Sequence, residues 1–214
     1  MKQQKNHKLT NQERFMKNHR KHHNQVAAYR ILIFVSFLLL WEISVNLGWM
    51  DAFFFSSPTR VILCFLDMVM NKSLFMHIGI TLLETLVSFL LVFFISLLSA
   101  TLLWYSSKLS EVLEPYLVIL NSLPKSALAP LFIVWLGTGT TTIIVAGISV
   151  ALFGSIISFY TAFQQISKDK ITLIYTLGGT KNQAMSKVVL PGSIPTLIST
   201  AKVNIGLSLV GVII

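Results

Sequence analysis

Four charged side chains lie within or beside long apolar runs, and their type and position could do chemistry. They are Glu42, Glu84, Lys125 and Lys202. A charge at the bilayer centre costs about 2.5–3.5 kcal/mol on insertion scales, so such groups face protein or water. For the two glutamates the alternatives are a solute-path residue and a hydrogen-bonded packing contact, and packing is preferred for Glu42. Lys125 either lines a cavity or snorkels to the membrane surface.

The histidines indicate neither a metal site nor a catalytic site. His7, His19, His22 and His23 lie in a basic arm and His77 stands alone, so no Ser/His/Asp or Cys/His constellation is present and a metal site is not expected. The sequence also lacks the Gly-x-x-x-x-Gly-Lys-Ser/Thr phosphate loop of ATPases. We therefore expect no cofactor, no metal and no enzymatic activity of this chain itself.

The composition indicates a membrane protein. Of the 214 residues 54% are hydrophobic and 12% charged, whereas a soluble domain carries about 25% charged residues. The apolar residues form long runs whose natural solvent is lipid. A soluble catalytic domain is therefore excluded, and the single cysteine, Cys64, leaves the redox compartment open.

Residues 1–30 are polar and strongly basic, with Glu13 as the one acid. Because they lack an apolar face, we expect a disordered cytoplasmic tail. Binding to nucleic acid is the alternative function of such an arm. A span follows directly, so the positive-inside rule, with contact to anionic lipid, is preferred.

Five apolar stretches predict a transmembrane domain over residues 31–214. Its spans are expected at about 31–49, 78–104, 115–136, 141–163 and 190–214. The third is interrupted at Leu123–Ser126 and by Pro130, and such breaks are tolerated where the backbone is buried in protein or lines a water-filled cavity. Since the fifth run still continues at Ile214, we expect one or more C-terminal spans to be missing.

The basic residues predict the orientation of these spans. All but four of the seventeen lysines and arginines lie in segments 1–30, 105–112 and 164–189. The positive-inside rule then places these segments and the N-terminus in the cytoplasm. Between the first two spans, Ser57 and Pro58 predict the capped start of a short helix that includes Val61–Met70.

The polar segment 164–189 predicts two short helices around Gly178-Gly179, outside the membrane. Its spacing resembles the coupling loop of binding-protein-dependent ABC importer permeases. That pattern is Glu-Ala-Ala, three residues, Gly, nine residues, Ile, one residue, Leu-Pro. Here Gly178 precedes nine residues, then Val188, Val189 and Leu190-Pro191, while Thr172, Leu173 and Ile174 take the Glu-Ala-Ala positions.

Other motifs resemble the nitrate/sulfonate/taurine-type permeases of this group. They are Leu40-Trp41-Glu42, Gly48-Trp49, Ser57-Pro58 and the run from Leu123-Pro124-Lys125 to Leu131. The resemblance covers about residues 31–214. It implies an all-α polytopic membrane protein with the type I ABC importer permease fold, in the bacterial plasma membrane.

The resemblance also implies partners and roles. An ATPase subunit would dock on the coupling loop, an extracytoplasmic solute-binding protein would deliver the solute, and a second permease subunit would complete a homodimer. The ATPase-coupling residues would be Thr172, Leu173, Ile174, Gly178, Gly179, Val188, Leu190 and Pro191. Residues expected on the translocation path are Glu84, Pro124, Lys125 and Pro130.

The expected solute is a small organic anion such as a sulfonate, or nitrate, with a thiamine-precursor pyrimidine as the alternative. Two other classes of function compete with this one. The first is a membrane scaffold that transports nothing. The second is a transporter that works without ATP, which would favour charge pairs in mid-membrane and an internal repeat; no convincing repeat is present.

Overall fold

A computed structural model describes residues 11–214, except for the side chains of residues 11–15, 17, 18 and 126. The described chain is all-α, with ten α-helices and no β-strand. It divides into two units, one ending at Leu74 and one comprising Phe75–Ile214. In this part of the chain four helices are long and apolar enough to cross a membrane, or five if one bent pair forms a single span. The predicted multi-pass, all-α class is confirmed.

The first unit contains helices α1 (Asn11–Asn46), α2 (Ala52–Phe55) and α3 (Pro58–Met70). Disorder was expected over residues 1–30, but Asn11–Arg30 continues into the first span as one helix. This stretch contains neither glycine nor proline, and growth from an existing apolar helix avoids the cost of nucleation. Residues 1–10 lie outside the described part.

The end of α1 and the start of α3 follow local signals. Helix α1 ends at Asn46, before Trp49, because Gly48 takes a φ of +74° and reverses the chain. Helix α3 starts at Pro58, and the hydroxyl of Ser57 accepts a hydrogen bond from the Arg60 N–H at 3.4 Å. The predicted serine cap with proline in the first turn is confirmed.

The second unit is built around two long helices, α4 (Ser73–Tyr105) and α7 (Thr140–Gln164). Between them α5 (Ser107–Ser122) and α6 (Lys125–Leu136) replace the predicted straight span, bent by 101° at the break. Proline at 124 cannot donate to the helical ladder and disfavours helix at Leu123, so the break falls there. Pro130, also expected to interrupt the span, lies inside α6.

The chain closes with α8 (Lys168–Thr176), α9 (Lys181–Ala184), a π-helical turn (Met185–Val189) and α10 (Leu190–Ile213). The last span was expected to begin at Leu190-Pro191, but Lys181–Ile213 forms one helical rod. Pro191 has no N–H and crowds the carbonyl of the preceding turn. The π-helical turn is wider than an α-helical one and accommodates the proline, because the Leu190 N–H donates to the Met185 carbonyl five residues earlier.

Small and hydroxyl side chains let α4, α7 and α10 approach closely. Ser88 and Ser96 of α4 donate to the carbonyls of Ile144 and Leu152 on α7, at 3.2 and 3.4 Å. Ser193 of α10 donates to the Ala162 carbonyl at 3.2 Å. In lipid the hydrophobic effect does not bring helices together, so hydrogen bonds and close packing of this kind hold them in contact.

A close contact between α7 and α10 joins two glycines. A Cβ built on Gly211 of α10 would lie 2.7 Å from the Gly147 Cα and 2.9 Å from the Ala146 carbonyl oxygen of α7. The buried apolar cluster lies near the other end of α7, where Phe159, Phe163, Met185 and Val189 pack together. These contacts fix the helices that carry the polar groups described next.

A capped helical hairpin and a polar membrane cavity

The segment from Lys168 to Ala184, called here the α8–α9 hairpin, turns at two glycines. Gly178 has a φ of +79°, its N–H donates to the Tyr175 carbonyl at 3.0 Å, and the Gly179 N–H donates to Ile174 at 2.8 Å. This pair of hydrogen bonds is the Schellman motif, which satisfies carbonyls left free at a helix end. The turn after α8 is therefore a defined structure.

The two glycines are needed for different reasons. Around Gly178 an added Cβ would meet nothing within 4 Å, so only its positive φ favours glycine. At Gly179 an added Cβ would lie 2.5 Å from Ile174 Cγ2 and 2.7 Å from the Ile174 carbonyl oxygen. The second glycine is thus required by close packing of the turn on α8.

The second arm of the hairpin starts with a capping box. The Thr180 hydroxyl accepts from the Gln183 N–H at 3.4 Å, and the Gln183 side chain accepts from the Thr180 N–H at 2.8 Å. These bonds satisfy donors that a helix start leaves free. Both arms are therefore capped at the turn.

Lys181 and Asn182 attach the hairpin to the end of α4. The Lys181 ammonium donates to the Tyr105 carbonyl at 2.7 Å and lies 5.6 Å from the Trp104 ring centroid. The Tyr105 hydroxyl donates to Asn182 Oδ1 at 3.0 Å. Two polar contacts and a cation–π contact thus join the hairpin to a long helix.

Helix α8 has an inner and an outer face. Ile171 packs on the buried cluster and Ile174 lies against the glycine turn. On the outer face Leu173 and Leu177, one turn apart, are exposed, Leu177 by 75%. Tyr175 is exposed on another side of the helix. Exposed apolar groups on a rigid, otherwise polar hairpin are suited to contact another protein.

A cavity of about 340 Å³ lies between α5, α7 and α10. Six of its nine lining residues carry a hydroxyl or amide group, and none is charged. The nine are Asn121, Gly154, Ser155, Ser158, Ser199, Thr200, Val203, Asn204 and Leu207. Asn121 lies near the end of α5, where that helix breaks at Pro124. A broken helix beside a polar cavity is a common arrangement at solute sites in transporters.

Residues 92–214 match the family model for the binding-protein-dependent transport system inner membrane component. The chain belongs to this family. The match includes both the α8–α9 hairpin and the cavity. The resemblance identified from the motifs is therefore confirmed, and with it the type I permease fold.

Individual relatives of this permease agree. It is 29% identical to a probable ABC transporter permease protein of Haemophilus influenzae, over 86% of this chain and 74% of the relative. It is 23% identical to the formylaminopyrimidine transport permease protein ThiX of Halalkalibacterium halodurans, over 84% and 71%. It is 24% identical to the putative aliphatic sulfonates transport permease protein SsuC of Bacillus subtilis, over 83% and 64%. All three are named as permeases, and none as an enzyme.

None of the four residues expected on the translocation path lines the cavity. Glu84 is buried in α4, with 4% of its surface exposed. Lys125 donates to the Asn121 carbonyl, so its ammonium group caps the end of α5. Neither of them, nor Pro124 or Pro130, is among the cavity's lining residues.

Glu42 makes the packing contact that was preferred for it. Its carboxylate accepts from the Thr59 N–H at 3.0 Å and from Asn46 Nδ2 at 3.2 Å. It therefore caps the first turn of α3 from α1. The motifs around Trp41-Glu42 and Ser57-Pro58, far apart in sequence, meet through this bond.

Among the described residues no group of three or more histidine, cysteine and acidic side chains could hold a metal ion. His7 lies outside that part of the chain. The sequence analysis missed Asn121, Ser155 and Asn204. In the sequence these residues are marked only by being polar and close to small residues. That pattern points to a site only when the pairing of the helices is known.

Proposed function

We propose that this permease forms a solute path across the membrane and couples it to a separate ATPase through the α8–α9 hairpin. The observation that carries the proposal is the exposure of the apolar and aromatic side chains of Leu173, Tyr175 and Leu177 on a hairpin that is capped at its turn. Apolar and aromatic anchors on a rigid element are what a protein partner buries. Thr172, expected at the docking surface, lies on the same helix and donates to the Lys168 carbonyl at 2.9 Å.

Coupling needs a stiff connection between the docking surface and the spans. The hairpin has two such connections: the contacts of Lys181 and Asn182 with Tyr105, and the continuous rod Lys181–Ile213 that carries Val188, Leu190 and Pro191. Movement of the ATPase would tilt α4 and α10 together. This is rigid-body transmission through packed elements.

The orientation follows from charge. The ends of α4 and α7 and the start of α10 meet at the hairpin, which carries Lys168, Lys170, Lys181 and, just beyond it, Lys187. The positive-inside rule assigns this end, and the N-terminus, to the cytoplasm of a bacterial plasma membrane. The hairpin would then face ATP, as coupling requires.

The other partners come from the family. A binding protein outside the membrane would deliver the solute, and a second copy of this permease would complete the path as a homodimer. The solute proposed from the sequence resemblance is a small organic anion such as a sulfonate, or nitrate, and the alternative is a thiamine-precursor pyrimidine. The names of relatives include both aliphatic sulfonates and formylaminopyrimidine.

A pull-down in mild detergent tests the coupling proposal. The tagged chain is recovered from native membranes, and co-purifying proteins are identified by mass spectrometry. The test variant carries Leu173→Ser, Tyr175→Ser and Leu177→Ser. The control carries Gln164→Ser and Gln165→Ser, two exposed polar positions just before the hairpin.

We expect an ATPase with a phosphate-binding loop to co-purify with the native chain and the control and to be lost from the triple variant. If a well-inserted native chain retains no ATPase, the coupling proposal fails and a membrane scaffold becomes the better account. If the triple variant retains the ATPase, the docking surface lies elsewhere.

A further inference from the structure

We infer that the cavity between α5, α7 and α10 binds an uncharged, hydrogen-bonding solute rather than an anion. The inference rests on the proposed transport function, and of the two solute classes proposed above it selects the pyrimidine over the organic anion. The cavity's volume of about 340 Å³ lies at the small end of ligand pockets, about 300–1,000 Å³. It therefore suits a small molecule, such as a single ring with a few polar substituents.

The first argument is charge. None of the nine lining residues is acidic or basic. An anion that leaves water for a site between membrane helices needs a cation or several donors, because an unpaired buried charge costs several kcal/mol. The lysine next to Asn121 in space, Lys125, is not in the lining, and its ammonium already donates to the Asn121 carbonyl.

The second argument is unused hydrogen-bonding capacity. Asn204 lines the cavity, is 2% exposed, and has an amide nitrogen without a hydrogen-bond partner among the described residues. One turn further along α10, outside the lining, the buried hydroxyl of Ser208 also lacks a partner among the described residues. Buried polar groups are nearly always paired, so we read the unpaired nitrogen of Asn204, a cavity-lining residue, as a donor that the ligand completes.

The third argument is the mixture of donors and acceptors. The Ser155 hydroxyl donates to the Ala151 carbonyl at 2.6 Å, so toward the cavity it can only accept. Asn121 places Oδ1 near Gly154, where an added Cβ would lie 3.2 Å away. The oxygens of Ser155 and Asn121 repel a sulfonate oxygen placed against them but accept from the N–H groups of an amide or aminopyrimidine. The hydroxyls of Ser158, Ser199 and Thr200 in the wall can donate as well as accept.

Cysteine labelling tests this in the purified complex. The cavity position Ser158 is changed to cysteine in a Cys64→Ser background, and Ser167→Cys, exposed beyond α7, is the control. The reagents are an uncharged methyl methanethiosulfonate and its anionic sulfonatoethyl analogue. The protecting probes are 4-aminopyrimidine and methanesulfonate.

Relative to Ser167→Cys, we expect Ser158→Cys to react readily with the uncharged reagent and poorly with the anionic one. 4-Aminopyrimidine should slow the reaction at Ser158→Cys, and methanesulfonate should not. Adding Asn204→Leu should weaken this protection about tenfold, which corresponds to losing one buried hydrogen bond. Adding Ser149→Ala, whose hydroxyl donates to Ala146 outside the cavity, should not.

Protection by methanesulfonate, or by neither probe, overturns the inference. The outcome is separable from that of the coupling proposal. If the ATPase co-purifies but 4-aminopyrimidine gives no protection, the cavity assignment fails and coupling stands. If protection occurs without any ATPase, the cavity stands as a binding site and ATP-driven transport fails.

Discussion

At the turn of the α8–α9 hairpin both helix ends are capped, whereas in the packed spans three buried polar groups have no partner among the described residues, one of them on a residue that lines the cavity. Thr180 and Gln183 cap each other and Gly178 and Gly179 close the end of α8. By contrast Asn204, Ser208 and, on α4, Thr85 have buried polar atoms without partners in the described chain. A satisfied network is stiff, and unsatisfied groups are costly until something binds them. The two regions thus suit transmitting a force and receiving a ligand.

The largest expected effect concerns the packing that holds the cavity's helices together. Gly211→Leu would force α10 away from Gly147 of α7, since even a Cβ meets backbone there. Overpacking of this kind costs about 1–3 kcal/mol. The control is Gly206→Leu on the same helix, where an added Cβ meets nothing within 4 Å.

Thermal unfolding in detergent, followed by size-exclusion chromatography, measures this difference. The midpoint should fall clearly for Gly211→Leu and little for Gly206→Leu. Equal midpoints for the two variants would mean that the α7–α10 contact does not support the cavity.

The second effect separates the two glycines of the hairpin. Gly179→Ala clashes with the Ile174 carbonyl, so the turn must shift, at a cost of about 1–3 kcal/mol. Gly178→Ala keeps the space but strains the backbone, which costs about 1–2 kcal/mol. ATPase retention in the pull-down should fall further for Gly179→Ala. The reverse order would show that the positive φ matters more than the close contact.

A third effect tests whether a capped turn in the first unit behaves like the hairpin. Glu42→Leu removes the acceptor for the Thr59 N–H, and losing such a cap costs about 1 kcal/mol. Glu42→Gln keeps an acceptor oxygen and should restore most of it. The thermal midpoints of both variants check this. A Glu42→Gln variant as unstable as Glu42→Leu would assign the role to the charge instead.

The smallest effect on stability is expected at the joint between hairpin and α4. Lys181→Met removes the bond to the Tyr105 carbonyl and the contact with Trp104, together about 0.5–1 kcal/mol at an exposed site. The ATPase should still co-purify, while uptake per ATP hydrolysed falls. Lys187→Met, exposed in the π-helical turn that follows α9, is the control. If uptake per ATP hydrolysed is the same in both variants, Lys181 does not transmit movement of the ATPase to α4.

The sequence alone predicted the hydrophobic spans, the serine cap at Ser57 and the glycine turn, because each depends on local composition or a local hydrogen bond. It missed that α1 extends back to Asn11 and that Lys181–Ile213 is one rod through Pro191. Continuation of a neighbouring helix and a π-helical turn override the local signal in these places.

The cavity could not be predicted in the same way. Asn121 and Asn204 are far apart in sequence, and each alone is an ordinary polar residue in a helix. They line one space only because α5 breaks at Pro124 while α7 and α10 pack through glycine and serine. In the sequence the charged residues were the candidates for the solute path, whereas in the structure the side chains of Lys125 and Glu42 cap helices.

One measurement tests most directly whether the hairpin and the cavity are coupled. In the purified permease–ATPase complex, the labelling rate of Ser158→Cys by the uncharged methanethiosulfonate is compared without nucleotide and with ATP trapped by vanadate. If the hairpin drives the helices around the cavity, nucleotide should change the rate, and Gly179→Ala should abolish the change in complexes that retain the ATPase. A labelling rate that is the same with and without trapped nucleotide in the native hairpin would contradict the account.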